Sequence, residues 1–222
     1  MTVKLLSDSH DATITDVDQL RIDAILSFWF MDKALDALQI DGRMDIWFGE
    51  DAEFDEKVAT EFGQDVEAAS DGQLDHWAHS ARGCLALILL LDQFRRNIHR
   101  NTLEAFAKDK AALKLCVEGA VDKKDDDLSP MQRVFFYMPL QHAESRKVQR
   151  KSREIYRRLA DAVSPTYTAT FDTICHFAEL HADIVEQFGR FPHRNQLLNR
   201  DNTPEEDEYL SGDIPTFGQG ES

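Results

Sequence analysis

Eight consecutive apolar residues, CLALILLL (84–91), sit inside RGCLALILLLDQF (82–94), and they constrain this chain more than any other stretch. The run is too short to cross a bilayer, which takes about 20 residues. Its length and its leucine and alanine content favour a helix over a strand. A helix that is apolar on every side must be covered on every side, so other elements have to surround it. Asp92 begins its polar end.

Elements able to do the covering are legible on both sides. Residues 17–31 place Leu20, Ala24, Ile25 and Phe28 at three- and four-residue spacing, with Asp16 as N-cap. Residues 50–69 repeat the device through Phe54, Val58, Phe62 and Val66 and stop near Gly72, and 102–121 carry Leu103, Phe106, Ala107, Leu113 and Val117. SPMQ (129–132) and TPEE (203–206) are capping boxes with proline at the first helical position. Pro139 opens a helix to about Val163, and 166–188 form another that Gly189 ends in a left-handed cap. Few stretches alternate apolar and polar with period two. The expectation is an all-α protein of eight or nine helices packed as antiparallel pairs, a tetratricopeptide-like helical array or bundle, without a clean 34-residue repeat. Residues 1–15 read as a flexible segment, 16–211 as a single domain, 122–127 as a solvated loop and 212–222 as a loose tail.

Charge and cysteine usage narrow the function. A formal charge of −16 over 222 residues gives a long-range field of the wrong sign for nucleic acid or an anionic membrane, and neither is expected as a partner. Cys84, Cys116 and Cys175 are odd in number and lack CxxC spacing, which points to a reducing cytoplasm. The start of the chain has too short an apolar patch for a secretory signal. No Walker loop, GxGxxG or GxSxG occurs, and no cofactor is expected.

Against that acidic background, GRFPHRNQLLNR (189–200) holds three arginines, one histidine and no carboxylate. Phe191, preceding a proline, is pushed to extended backbone. Pro192 then starts a short turn that aims His193, Arg194 and Asn195 at one place. LDQFRRNIHRNT (91–102) echoes it, with Asp92 and Arg96, then Arg96 and Arg100, sharing a helix face. In PLQHAES (139–145), His142 shares a face with Arg146 and Gln149, while Glu144 points elsewhere. Arginine forks suit carboxylates and phosphates. The candidate ligand-binding set is therefore Asp92, Arg96, Arg100, His142, Arg190, His193, Arg194, Asn195 and Arg200. The ligand would be a small anion or a protein segment. The alternatives are a hydrolase or transferase on an anionic substrate, with His142, His193 or Glu144 handling protons, and a polar lock that only holds the fold. Arg96 and Arg194 are expected to approach one another. Two such cations repel by roughly 4 kcal/mol at about 4 Å and an effective dielectric near 20. Something negative must lie between them, and Asp92 and Glu144 are the internal candidates. Asp92 is expected to hold Arg96 and to leave Arg194 free for a ligand.

Other clusters carry less. HWAH offers His76 and His79, and HFAELHAD offers His176, Glu179, His181 and Asp183, but neither completes a ligand set, and no metal is expected. Residues 146–158 hold seven Lys or Arg against Glu154 alone. This basic face reads as solvated or paired within the chain, where 122–127 and 201–208 are acidic stretches able to face it; the alternative is an acidic partner or a phosphate backbone.

ILSFWF (25–30), LALILLLDQFRRNIHR (85–100), PLQHAES and FGRFPHRNQLLNRDNTPEEDEYL (188–210) together resemble the bacterial family called domain of unknown function 924, over roughly residues 20–219. The resemblance implies an all-α domain of the tetratricopeptide-like superfamily and supplies no activity. Members of that family usually have proline where Arg95 stands and glycine where Asn101 and Asn199 stand. Asparagine is the residue after glycine best suited to a left-handed backbone, so both turns can survive.

Overall fold

A computed structural model describes residues 13–31 and 37–219. Residues 1–12 of the expected flexible segment lie outside them. The described residues form helices and turns and no strand.

The first helix, α1 (Asp16–Phe30), is capped by Thr15 rather than Asp16, in a reciprocal capping box with Asp18. After α2 (Ala37–Phe48), Asp51 caps α3 (Ala52–Ser70) through the amides of Glu53 and Phe54. The apolar run then forms α4 (Ala81–Ile88), a π-helical segment (Leu89–Phe94) and α5 (Arg95–Ile98). Every residue from Gly83 to Arg96 in this stretch is buried, so the central helix is covered on every side. Asp92, expected at a polar end, is instead completely buried.

The expected 102–121 helix is split into a 3₁₀ turn (Leu103–Phe106) and α6 (Asp109–Val121). Both proline capping boxes form, at Ser129 for α7 (Pro130–Phe136) and at Thr203 for α11 (Pro204–Leu210). The helix expected from Pro139 to Val163 also breaks in two. A short α8 (Met138–Gln141) ends at His142, and α9 (Arg146–Ala162) begins four residues later. His142 therefore stands at an interruption rather than on a continuous face with Arg146 and Gln149. The chain turns back through α10 (Thr168–Phe188), which Gly189 closes with φ 76°.

The basic face of α9 is matched internally. Arg150 pairs with Glu186 at 2.7 Å, Arg153 with Asp183, and Arg157 with Glu179 at 2.7 Å. Each step along α9 meets a step in the opposite direction along α10, so the two helices are antiparallel. The acidic partners come from α10, not from 122–127 or 201–208. On its other side α9 buries Gln149, Ser152, Tyr156 and Leu159 at three- and four-residue intervals.

One apolar cluster takes in buried residues from Ile22 on α1 to Ala178 on α10, with Trp29 packed against Phe54, Phe94 and Phe135. A smaller cluster of Ile184, Val185 and Phe191 is joined by Phe217. The tail is thus not loose up to its last described residue, because Gln219 is buried.

Close packing on α6 gives the first test. A Cβ on Gly119 would stand 2.9 Å from Phe136 Cζ and 3.1 Å from Cys84 Sγ. Overpacking costs about 1–3 kcal/mol, more than the roughly 1 kcal/mol alanine gains over glycine inside a helix. Gly119→Ala is therefore expected to lower the urea midpoint; an unchanged or higher midpoint would show that Phe136 steps aside freely.

Candidate functional site

The polar centre of the molecule is a chain of alternating charges that starts at Asp92. Its Oδ1 accepts from Arg96 Nη1 at 2.9 Å and from His142 Nδ1 at 2.7 Å, and Oδ2 accepts from Gln93 Nε2. Burial works to raise this carboxyl's pKa, but Arg96 and His142 outweigh it and hold the group well below the usual carboxylate range. Arg96 donates onward from Nη2 to Asp109 Oδ1 at 2.9 Å. Asp109 Oδ2 in turn accepts from Arg194 Nη1 at 3.3 Å. The same nitrogen of Arg194 reaches the carbonyl of His142 at 3.1 Å, and the guanidinium lies between the rings of Phe106 and Phe191. The segments 91–100, 139–145 and 189–195 thus meet. The carboxylate between the two arginines is Asp109, neither Asp92 nor Glu144, and Arg194 is not free.

The other arginines are committed as well. Glu144 takes Arg200 through both oxygens, at 2.6 and 2.9 Å, and accepts from the Phe191 amide. Arg190 grips Glu206, which is held down to about 2, chiefly by that arginine. Arg100 holds Asp55 at 2.6 and 2.8 Å. Asn195 donates to Asn202 and Glu206. Arg95, where the family pattern has proline, continues the helix and donates to Ser70 and Glu104. Asn101 and Asn199 adopt φ 58° and 51°, so both left-handed turns form.

What remains chemically open is imidazole. Beside the spine lies a cavity of about 100 Å³, walled by His142, His181, Arg96 and Arg100 on its polar side and by aromatic rings including Phe177 and Phe217. The Nδ1 of His142 faces an ionised carboxylate and that of His181 a carbonyl, Phe177 O at 2.8 Å. Both partners can only accept, so both Nδ1 atoms carry the proton. Burial, reinforced by Arg96 at His142 and by His142 at His181, pushes both pKa values down and keeps the rings neutral. Each Nε2 is then a lone pair, and the rings stand 5.8 Å apart. Nε2 of His181 is buried without a hydrogen-bond partner. His193 lines a separate cavity of about 330 Å³ with Pro192 and Thr216. Burial, helped by Arg194, pushes it down to about 3.

The metal candidates are dispersed. His76 pairs with Asp18, Glu179 with Arg157 and Asp183 with Arg153. Among the described residues no group of three or more His, Cys, Asp or Glu is placed to hold an ion. No described helix is long and apolar enough to cross a membrane. Asp109, Asp55, Glu206 and His181 went unnoticed as site residues in the sequence. His181 appeared there only in a histidine cluster from which no metal was expected, and Glu206 only as part of the TPEE capping box.

The family model for a bacterial protein of unknown function (DUF924) matches residues 25–213. The chain belongs to the DUF924 family. A solved structure titled as a protein of unknown function, ATU0120, from Agrobacterium tumefaciens is similar to this DUF924 chain at 37% identity, with a TM-score of 0.73 over 87% of this chain and 99% of that one. No curated protein matches.

Two tests follow from the spine. Asp109→Asn leaves Arg194 buried without a counter-charge, and breaking a buried pair costs about 3–5 kcal/mol; chemical denaturation measures it, and a loss under 1 kcal/mol would show that the spine does not hold the fold. The second uses pH. An unfolded histidine titrates near 6.5, whereas folded His193 refuses the proton down to about 3. The stability it contributes is present above about 6.5 and is lost as pH falls toward 3, by up to about 1.4 kcal/mol per pH unit. His193→Gln is expected to flatten the stability curve between pH 6 and 4.5, and an unaltered slope would refute the assignment.

Proposed function

We propose that this DUF924 protein binds a small weak acid in the His142–His181 cavity, with His142 Nε2 receiving the ligand's proton. The observation that carries the reading is the fixed tautomer of both imidazoles beside arginines already matched by carboxylates. A bare anion entering this cavity finds no spare cation. An acid that brings its own proton converts His142 to imidazolium, and Asp92 already stands at its Nδ1 to compensate the new charge. The anion then rests against His142, with Arg96 and Arg100 on the same wall. Aromatic rings, Phe177 and Phe217 among them, also line the cavity and suit a planar or apolar body.

A second reading draws on the same 2.7 Å contact. A carboxylate that orients a neutral histidine leaves Nε2 as a general base, and hydrolysis of a bound ester or amide is the corresponding chemistry. No serine, threonine or cysteine is among the described residues lining the cavity, so the nucleophile would be water.

Calorimetric titration with acetate and with benzoate, in two buffers of different ionisation enthalpy, tests the binding reading. Uptake of about one proton per ligand and tighter binding at pH 6 than at pH 7.5 are expected. His142→Asn is expected to abolish the uptake and to weaken binding roughly ten- to hundredfold, the cost of an unmade hydrogen bond of about 1–3 kcal/mol. Binding without proton uptake, or no binding of either acid, refutes it.

A further inference from the structure

Part of the cavity wall is the chain's own C-terminal segment, through Phe217 and Gln219. The Phe217 ring stacks on His181 with centroids 3.7 Å apart, and its edge meets His193 at 5.7 Å. The carbonyl of Gly218 accepts from Arg100 Nη1 at 2.8 Å. The carboxamide of Gln219 is read at both ends: Oε1 accepts from the Asn101 amide at 3.2 Å, and Nε2 donates to the carbonyl of Arg96 at 3.1 Å. Three successive residues therefore have separate receptors: His181 of α10 for Phe217, and Arg100, Asn101 and Arg96, from the segment that carries Asp92, for Gly218 and Gln219.

The grip is specific. A carboxamide is the side chain that donates and accepts side by side, as this pair of backbone groups requires. A Cβ on Gly218 would come within 3.0 Å of Arg100 Nη1, and its φ of +72° disfavours other residues. Local backbone preference works against the arrangement, because Phe217 itself adopts φ 53° inside a turn closed by the Gln219 amide on Thr216 O. The segment is held by its receptors and not by its own propensity. It also divides two cavities, with Phe217 on the wall of the histidine cavity and Thr216 on that of the His193 cavity.

We infer that Arg96, Arg100, Asn101 and His181 form a recognition groove for a Phe-Gly-Gln turn, occupied by the chain's own residues 217–219, and that this occupancy closes the histidine cavity. The strap is the cis ligand of the groove, and lifting it exposes His142 and His181 together. The inference concerns the entrance to the cavity of the proposed function and rests on that cavity being a site. Its test uses no acid ligand, so either idea can fail while the other stands.

Diethyl pyrocarbonate acylates neutral, accessible imidazole, and mass spectrometry reads each histidine separately. His79 is exposed and serves as the internal reference. In the full-length wild type, His142 and His181 are expected to react at least tenfold more slowly than His79. Gln219→Ala, which removes both carboxamide contacts, and Gly218→Ala, which crowds Arg100, should each speed both histidines at least fivefold while leaving His79 and the far-ultraviolet dichroism unchanged. A synthetic peptide of residues 214–219 in excess should restore the protection of Gln219→Ala. Unaltered His142 and His181 rates in both variants would overturn the strap, and a peptide without effect would overturn the groove's recognition of the segment.

Discussion

A single ionised carboxylate, Asp92, with no solvent exposure, sets the terms for everything around it. A charge cannot stay in a protein interior unpaired. Asp92 therefore fixes Arg96 one turn on, His142 at the break between α8 and α9, and Gln93 beside it. Arg96 has a second fork and needs a second carboxylate, which Asp109 supplies from the first turn of α6. Asp109 has a second oxygen and takes Arg194 from the turn after α10. Two carboxylates and two guanidiniums close the sequence at zero net charge, and each member needs its neighbour. The spine ties the central helix to three later segments, at Asp109, His142 and Arg194.

This arrangement explains the charge reversal at 189–200. Three arginines without a local carboxylate looked like an open anion site, yet each is answered by a carboxylate from outside the stretch: Glu206, Asp109 and Glu144. The arginines hold three loops at fixed positions. The groups left with unfilled hydrogen-bonding capacity at the cavity are imidazole nitrogens, whose Nδ1 atoms the same framework has locked.

The features that were legible in the sequence are those set by local chemistry. Helical periodicity, the capping boxes at Ser129 and Thr203, the left-handed stop at Gly189 and the left-handed asparagines each depend on residues within one or two turns. The site was legible in part, since 91–100, 139–145 and 189–195 announce themselves by composition. Their partners do not. Asp55 is one of several acidic residues of α3, and Asp109 opens α6 with nothing to set it apart from a helix-start carboxylate; only the tertiary fold turns them toward an arginine. His181 falls among apolar residues of α10, where nothing distinguishes a cavity wall from a packed face. Asp92 was placed at a polar end because α-helical spacing was carried through Leu91; the π segment from Leu89 to Phe94 changes the angular register there, and Asp92 and Gln93 are buried with the leucines. The tail misleads for a related reason: Gly, Pro and Thr read as loose chain, while its anchors are one ring, seated on His181, and one carboxamide whose receptors, Asn101 and Arg96, lie far back in the sequence.

A fully paired spine has a consequence for any chemistry at its edge. Each arginine there is matched by a carboxylate, so no fixed charge is left over to compensate one that a ligand brings. The compensating charge must arise in the site, and near neutral pH the imidazoles are the groups best suited to take up a proton. Their depressed pKa values make that uptake unfavourable without a ligand and favourable once a negative group lies beside the ring. Asp92 serves both states: it orients the neutral ring by accepting from Nδ1 and balances the imidazolium once Nε2 is protonated. On the proposed reading, the buried carboxylate that organises the fold also makes the neighbouring histidine responsive to what enters the cavity.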